Sequence, residues 1–364
     1  MAQNFDVANL ALQAVAPGNV LLYDDKGLPS VMVYVPKFKL SEVLTGGPDT
    51  YHPAFIVNGS VVDGIYISKY QNVVEGGRAY SLPGKDPASS INWDNAQARC
   101  TAKGAGWHMM TKAEWGALAL WCKAHGIFPK GNNNYGKDVT ETVQTAIPAT
   151  YDSQTGKILH VLTGTGPLSW SHDGTMKGIW DLNGNVAEWE GAFRTVKGEL
   201  QFLVNNNGAD GSHSQAANSS EWKALDATTG EFVTPNGNGT TTNTVKVDAT
   251  GGHHVYAITV TTTSENVNGG IQTITCTADI SDAAKIVLRA YGLLPEAGAV
   301  AADYGDGDYL SFNNVADERV VYGGGNCSIT TAAGVFCSYG NYGSRTNSNS
   351  YIGFRAAFVE LPTA

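Results

Sequence analysis

The residues best suited to recognising another molecule lie together near the end of the chain. Tyr, Asn, Ser, Thr and Gly crowd the stretch from Gly323 to Phe358, and Arg345 is the only charge between Gly323 and Phe354. Tyr offers a large contact area at small entropic cost. Ser, Asn and Gly offer adaptable hydrogen bonds, the mixture antibody loops use. Two other sets suggest different chemistry. Cys327 and Cys337 raise the question of a thiol pair, and His253-His254 that of a metal ligand pair. Adjacent side chains on a strand point to opposite faces, so the two His do not readily share one ion. They read as an exposed strand pair.

Elements that would carry these residues follow from pattern and caps. Ser30 to Pro36 alternates faces and stops at Pro, as a strand does, and Gly64 to Tyr70 is a second strand. A helix is expected from about Trp93 to Ala102, capped by Asn92 and ended by Gly104. Thr111-Lys112-Ala113-Glu114 is a capping box that opens a second helix running to about His125 and stopping at Gly126. Trp115, Leu118, Ala119 and Cys122 share one face of it, which makes that face core and Cys122 an inert core thiol. Ile179 to Trp189 is a compact unit turning at Asn183-Gly184, with Trp180 and Trp189 as core aromatics. Gly208 to Gly239 is polar and weak in pattern. Thr244–Val247, Val255–Thr262 and Gln272–Ala278 alternate like strands, and Ser281 to Leu293 reads as a short helix capped by Ser281 or Asp282. No repeat of fixed period is seen.

Bulk composition narrows the function classes. The 364 residues suffice for one large domain or two ordinary ones. Charged residues make up only 15%, and 43 Gly point to turns and loops rather than long helices. A net charge of -10 with no Lys/Arg cluster argues against nucleic acid as a partner, because phosphate binding needs concentrated positive charge. No run approaches a transmembrane helix. Met1 to Leu10 lacks the basic start and apolar run of a signal peptide. Five Cys is an odd count, with Cys100, Cys122 and Cys276 in apolar or strand-like contexts, so a disulfide scaffold is not expected. A cytoplasmic origin, followed where relevant by assembly into a virion, fits both features.

Several fragments, taken in order, resemble the formylglycine-generating-enzyme-like (sulfatase-modifying factor) branch of the C-type lectin fold. They are Met32–Pro36, Ile67–Tyr70, Thr111–Trp115, the Asp181–Trp189 unit, and Gly323-Gly324-Gly325 with Ile352-Gly353-Phe354-Arg355. Within that branch the chain is similar to the variable proteins of diversity-generating retroelements, phage receptor-binding and surface-display proteins. That likeness rests on Gly324-Gly325, Ala333–Phe336, Ser344-Arg345 and Ile352–Phe358. In such systems the C-terminal segment is rewritten by mutagenesis directed at adenines. Asn codons of the form AAY, randomised at both adenines, never yield Lys, Glu, Gln, Met or Trp. These five are roughly one residue in seven of the chain, so about five are expected from Gly323 to Phe358. None is present.

The resemblance implies an α+β, C-type-lectin-like domain over 31–364 after an N-terminal segment 1–30. It would carry an inserted loop and strand region at about 200–300, outside the common core, and a variable region at about 323–358. The ligand-binding residues would be Cys327, Ser328, Ile329, Thr331, Cys337, Tyr339, Asn341, Tyr342, Asn347, Asn349 and Tyr351, mostly exposed on one contiguous face. Gly324, Ala333, Phe336, Ile352, Phe354 and Ala356 would be buried or backbone-constrained, and Arg345 a fixed structural residue. The partner would be a protein or other cell-surface ligand, and display on a virion would favour a trimer.

Asp181, Gly184, Val186 and Glu188 match the spacing of a calcium site in the formylglycine-generating enzymes, where two side-chain oxygens and two carbonyls bind the ion. Calcium wants six to eight oxygens, so the alternative is that Asp181 and Glu188 merely brace the turn. No other cofactor is implied. The parent family also contains an oxidase that uses a Cys pair five residues apart. Cys327 and Cys337 are ten apart, so binding is expected rather than enzymatic activity. No Glu-Pro-Asn or Gln-Pro-Asp triplet is present, so the fold name alone does not imply sugar binding.

Overall fold

A computed structural model describes residues 6–305 and 308–362. The fold is mixed α+β, rich in sheet and poor in helix. None of the helices described is long and apolar enough to cross a membrane.

Two sheets organise the chain. The smaller has five antiparallel strands in the order Asn19–Tyr23, Pro29–Pro36, Gly64–Ser68, Ala356–Phe358 and Trp107–Met109. Its register pairs Val33 with Ile67 and Ala357 with both Ile67 and His108. Ala356–Phe358 therefore lies between Gly64–Ser68 and Trp107–Met109, which locks segments remote in sequence into one unit. Ser30 to Val33 are buried on both faces and only Tyr34 and Pro36 are exposed, and Met32 and Ile67 are wholly enclosed.

The larger sheet is centred on Ala187–Val196, which pairs with Glu199–Phe202, Arg319–Gly324 and, in parallel, Ile352–Phe354. All ten residues of that central strand are buried. Both helices expected near its N-terminal side form, at Trp93–Thr101 and Lys112–His125. Asn92 accepts from Asn95 N at 2.9 Å. Thr111 and Glu114 close their capping box reciprocally, and Gly126 ends the second helix in the left-handed region. Trp115, Leu118, Ala119 and Cys122 are core residues, and the Trp115 ring N–H donates to Val335 O at 2.6 Å. The Ser281-capped helix spans Asp282–Ala290.

The fold departs from expectation at three places. A helix at Val7–Val15, capped by Asp6, lies in the N-terminal segment 1–30, to which no helix was assigned. The 200–300 region does not lie apart. Its strands Lys246–Asp248, Val255–Ala257 and Val267–Gly270 extend the larger sheet. Its side chains Val245, Val247, Tyr256 and Leu288 share one core with Val33, Ile65 and Leu118. A three-residue strand buries too little to stand alone, so annexation to the existing sheet is what stabilises this region. Finally, His253 is exposed but His254 is 1% exposed, packed edge-on against Tyr256 and Phe312. The two rings are not an exposed pair, and burial lowers the His254 pKa to about 3.

Candidate functional site: a cleft on the C-terminal segment

The segment of interest starts on Arg319–Gly324 and turns through Gly325 to Ala333. It returns antiparallel along Gly334–Tyr339, loops out over 340–351, and re-enters the sheet at Ile352–Phe354. Two glycines make the path possible. Gly325 has φ +76°, and a Cβ there would meet the Ala333 Cβ at 2.7 Å. A Cβ on Gly343 would lie 1.7 Å from Val320 O.

The loops are pinned mainly through their backbones. Cys327 N donates to Asn185 O and Cys327 O accepts from Tyr135 N, at 3.2 and 2.7 Å. Thr330 N donates to Asn133 O. Val320 N reaches Gly343 O, Ser90 N reaches Asn349 O, and Ala187 N reaches Tyr351 O at 2.8 Å. His160 Nε2 lies 3.0 Å from Ser350 O. None of these loop contacts depends on which side chain the loop residue carries.

One side chain does staple the outer loop. The Arg345 guanidinium bonds both carboxylate oxygens of Glu318, at 2.7 and 3.1 Å, as well as Asp94 Oδ1 and Gln215 O. It also sits over the Trp93 ring at 4.3 Å. Those contacts make it a structural residue.

Between the loops lies a cleft of about 520 Å³, lined by Tyr322, Asn326, Tyr342, Ser344, Thr346, Asn347, Asn349, Tyr351 and Ile352. Tyr342 is 65% exposed. Tyr322 lies in the floor, stacked on Tyr339 at 5.8 Å and met edge-on by Trp189 at 5.2 Å. The polar lining side chains bond to near neighbours in their own loop. Asn347 Nδ2 donates to Tyr342 O, Ser344 Oγ pairs with Thr346 Oγ1, and Asn326 Oδ1 accepts from Ser328. No lining residue is charged or carries a thiol.

The expected binding residues fall into three groups. Tyr342, Asn347, Asn349 and Tyr351 are gathered in the cleft. Ser328, Ile329 and Tyr339 are half-buried and Thr331 is exposed, all outside its lining. Cys327, Cys337 and Asn341 are buried, contrary to the expected exposure. Cys327 sits in the turn packed against Asn132–Tyr135, Cys337 points into the core from its strand, and Asn341 is covered by the annexed region, its Nδ2 bonding Asn266 Oδ1. By contrast Gly324, Ala333, Phe336, Ile352, Phe354 and Ala356 are all buried. Ser344 and Ile352, expected as fixed points, also line the cleft. Tyr322, Asn326 and Thr346 line it without having been singled out. The last two share the small polar character of the segment, which was the available signal. Tyr322 precedes the boundary at Gly323.

All five Cys are free thiols. Burial pushes the Cys327 thiol up to about 12 and Cys337 well above its ordinary value. Only the thiolate is nucleophilic, so the Cys327 thiolate fraction at pH 8 falls on the order of 10³-fold below that of an ordinary thiol. Reaction with a colorimetric disulfide reagent is expected to be slow in the native protein and fast in denaturant. Labelling of Cys327 or Cys337, rather than of the half-buried Cys276, within seconds in the native protein contradicts this placement.

The region with calcium-site spacing lies directly behind the cleft. Gly184 O, Val186 O and Glu188 Oε1 converge, joined by the Asp181 carbonyl rather than its carboxylate. Their common partner is Gln71 Nε2. The Asp181 carboxyl instead accepts from Gly164 N at 3.0 Å, and burial raises its pKa to about 6. Glu188 is also held by Arg355, Nε to Oε2 and Nη2 to Oε1, both at 2.8 Å. With an amide donor at the centre and a guanidinium on the carboxylate, this cage does not fit a calcium ion, which needs six to eight oxygens at about 2.3–2.6 Å.

No protein family matches the chain, and no curated protein matches it. Among solved structures, PvdO from Pseudomonas aeruginosa is similar at a TM-score of 0.33 and 13% identity, over 93% of this chain and 97% of that one. The Major Tropism Determinant P3c variant is similar at 0.30 and 13%, over 93% of this chain and 71% of that one.

Proposed function

We propose that this chain is a diversified binding protein: the 340–351 loop and its neighbours form a ligand cleft whose side chains are exchanged through retroelement mutagenesis. The partner is a protein or other ligand on a cell surface, met by a phage particle or a displaying cell. The observation that carries this reading is the division of labour in the segment. Backbone hydrogen bonds and the Arg345 side chain tie the loop to the fold, while Tyr342, Asn347, Asn349 and Tyr351 line the cleft and Gly324, Ala333, Phe336, Ile352, Phe354 and Ala356 are buried. A fold can exchange side chains freely only where packing does not depend on them. Absence of Lys, Glu, Gln, Met and Trp from the same segment supports the same view.

Binding is favoured over catalysis by the cleft's chemistry. A Ser, Thr or Tyr hydroxyl becomes a nucleophile when an adjacent base activates it, and the lining holds no carboxylate, imidazole, amine or thiol to serve as that base.

The genetic half is tested by sequencing the DNA around the gene in several isolates. A reverse-transcriptase gene and a near-copy of the codons for Gly323–Phe358, differing only at adenines, are expected. A locus without a near-copy, or differences spread over all four bases, would refute the mutagenesis.

A further inference from the structure

The cage behind the cleft raises a question of charge. Four oxygens, one of them a carboxylate oxygen, face one point in the interior, and buried acceptors left unpaired are costly. Gln71 is fully buried, three residues past the Gly64–Ser68 strand, and the two hydrogens of its amide are shared among the four. Its Nε2 lies 3.1 Å from Asp181 O, 3.3 Å from Gly184 O, 2.8 Å from Val186 O and 3.0 Å from Glu188 Oε1. Asn185 Nδ2 donates to Gln71 Oε1 at 3.0 Å, which fixes the orientation with the amide nitrogen facing the cage. Positive charge comes from Arg355, wholly buried, which grips Glu188 twice and also donates to Ser68 O and Trp180 O.

We propose that the Gln71 amide, backed by the Arg355 guanidinium, takes the place of a cation in this cage and makes the binding face independent of metal. The held turn touches the cleft's frame directly. Gly184 N donates to Gly324 O, Asn185 O accepts from Cys327 N, and Ala187 N donates to Tyr351 O. Gln71 is thus a positioning residue for the face, acting through the 181–188 turn. A divalent ion at this point would have to displace the amide and sit beside a buried guanidinium that already neutralises the carboxylate.

Two measurements test this. Equilibrium dialysis of the full chain against millimolar calcium, after chelation, is expected to show no bound ion above a serum-albumin-free buffer control, and thermal melts in calcium and in chelator are expected to coincide. Gln71→Ala is expected to melt about 3–6 °C lower in both buffers, since it strands several buried acceptors. Stoichiometric calcium binding by the unsubstituted protein, or a melting temperature raised by calcium, overturns the proposal. So does a Gln71→Ala protein that melts with the original. Should that variant fail to fold, the calcium measurements on the unsubstituted chain still decide.

Discussion

Arg355→Met is expected to lower the free energy of unfolding by about 3–5 kcal/mol, the cost of leaving one partner of a buried ion pair alone. Arg355 is completely enclosed, and Glu188 is 1% exposed. The guanidinium spends its donors on Glu188 Oε1 and Oε2, Ser68 O, Lys69 O and Trp180 O. Met fills similar volume but supplies none of these, so a buried carboxylate would keep only the Gln71 amide. The double variant Glu188→Gln, Arg355→Met removes both charges and is expected to recover part of the loss, because the stranded charge is the larger share of the penalty. Urea unfolding of the three proteins measures this. An Arg355→Met protein within about 1 kcal/mol of the original would show that the pair does not organise the fold.

The pair matters because it ties three remote parts of the chain together. Glu188 lies on the central strand of the larger sheet, Arg355 on the turn between Ile352–Phe354 and Ala356–Phe358, and Ser68 on the smaller sheet. The cleft's last wall therefore hangs from the junction of both sheets.

What could be read in the sequence was what local chemistry decides. Asn92, the Thr111–Glu114 box and Ser281 mark helix starts because caps act over three residues. The strand through Met32–Val35 shows because a short Val-rich run stopped by Pro36 is a local signal, although burial on both faces removes the alternation from Ser30 to Val33. The helix at Val7–Val15 went unread although Asp6 caps it, and it buries no residue. The strands at Lys246–Asp248 and Val255–Ala257 were seen as strands and that at Val267–Gly270 was not, and their place in the sheet depends on partners remote in sequence, such as Lys246 against Glu199 and Val267 against Phe312.

At the site, composition indicated which segment differs in character from the rest of the chain but not which way each side chain points. Cys337 faces the core because it lies on a strand buried on both faces, where alternation no longer sorts inside from outside. Gln71 gave no signal at all. A lone Gln more than a hundred residues from the 181–188 turn is meaningful only once the fold brings it there.

The cleft itself is the most direct object of test. Tyr342, Asn347, Asn349 and Tyr351 can be randomised together to the residue types an NNY codon allows and the library displayed on yeast. Sites outside the core change stability by about 0.5 kcal/mol each, so four together cost about 2 kcal/mol against a total of about 5–15. Most members should therefore remain folded and protease-resistant. Selection against unrelated protein targets should yield binders, each losing at least about 100-fold in affinity when its four residues are reverted. The same randomisation at Phe336, Ile352 and Phe354 should unfold nearly all members, since large-to-small changes in the core cost about 1–5 kcal/mol apiece. A cleft library that unfolds as readily as the core library, or that yields no binder to any target, would contradict the account: the segment would then be ordinary packing rather than an exchangeable binding face.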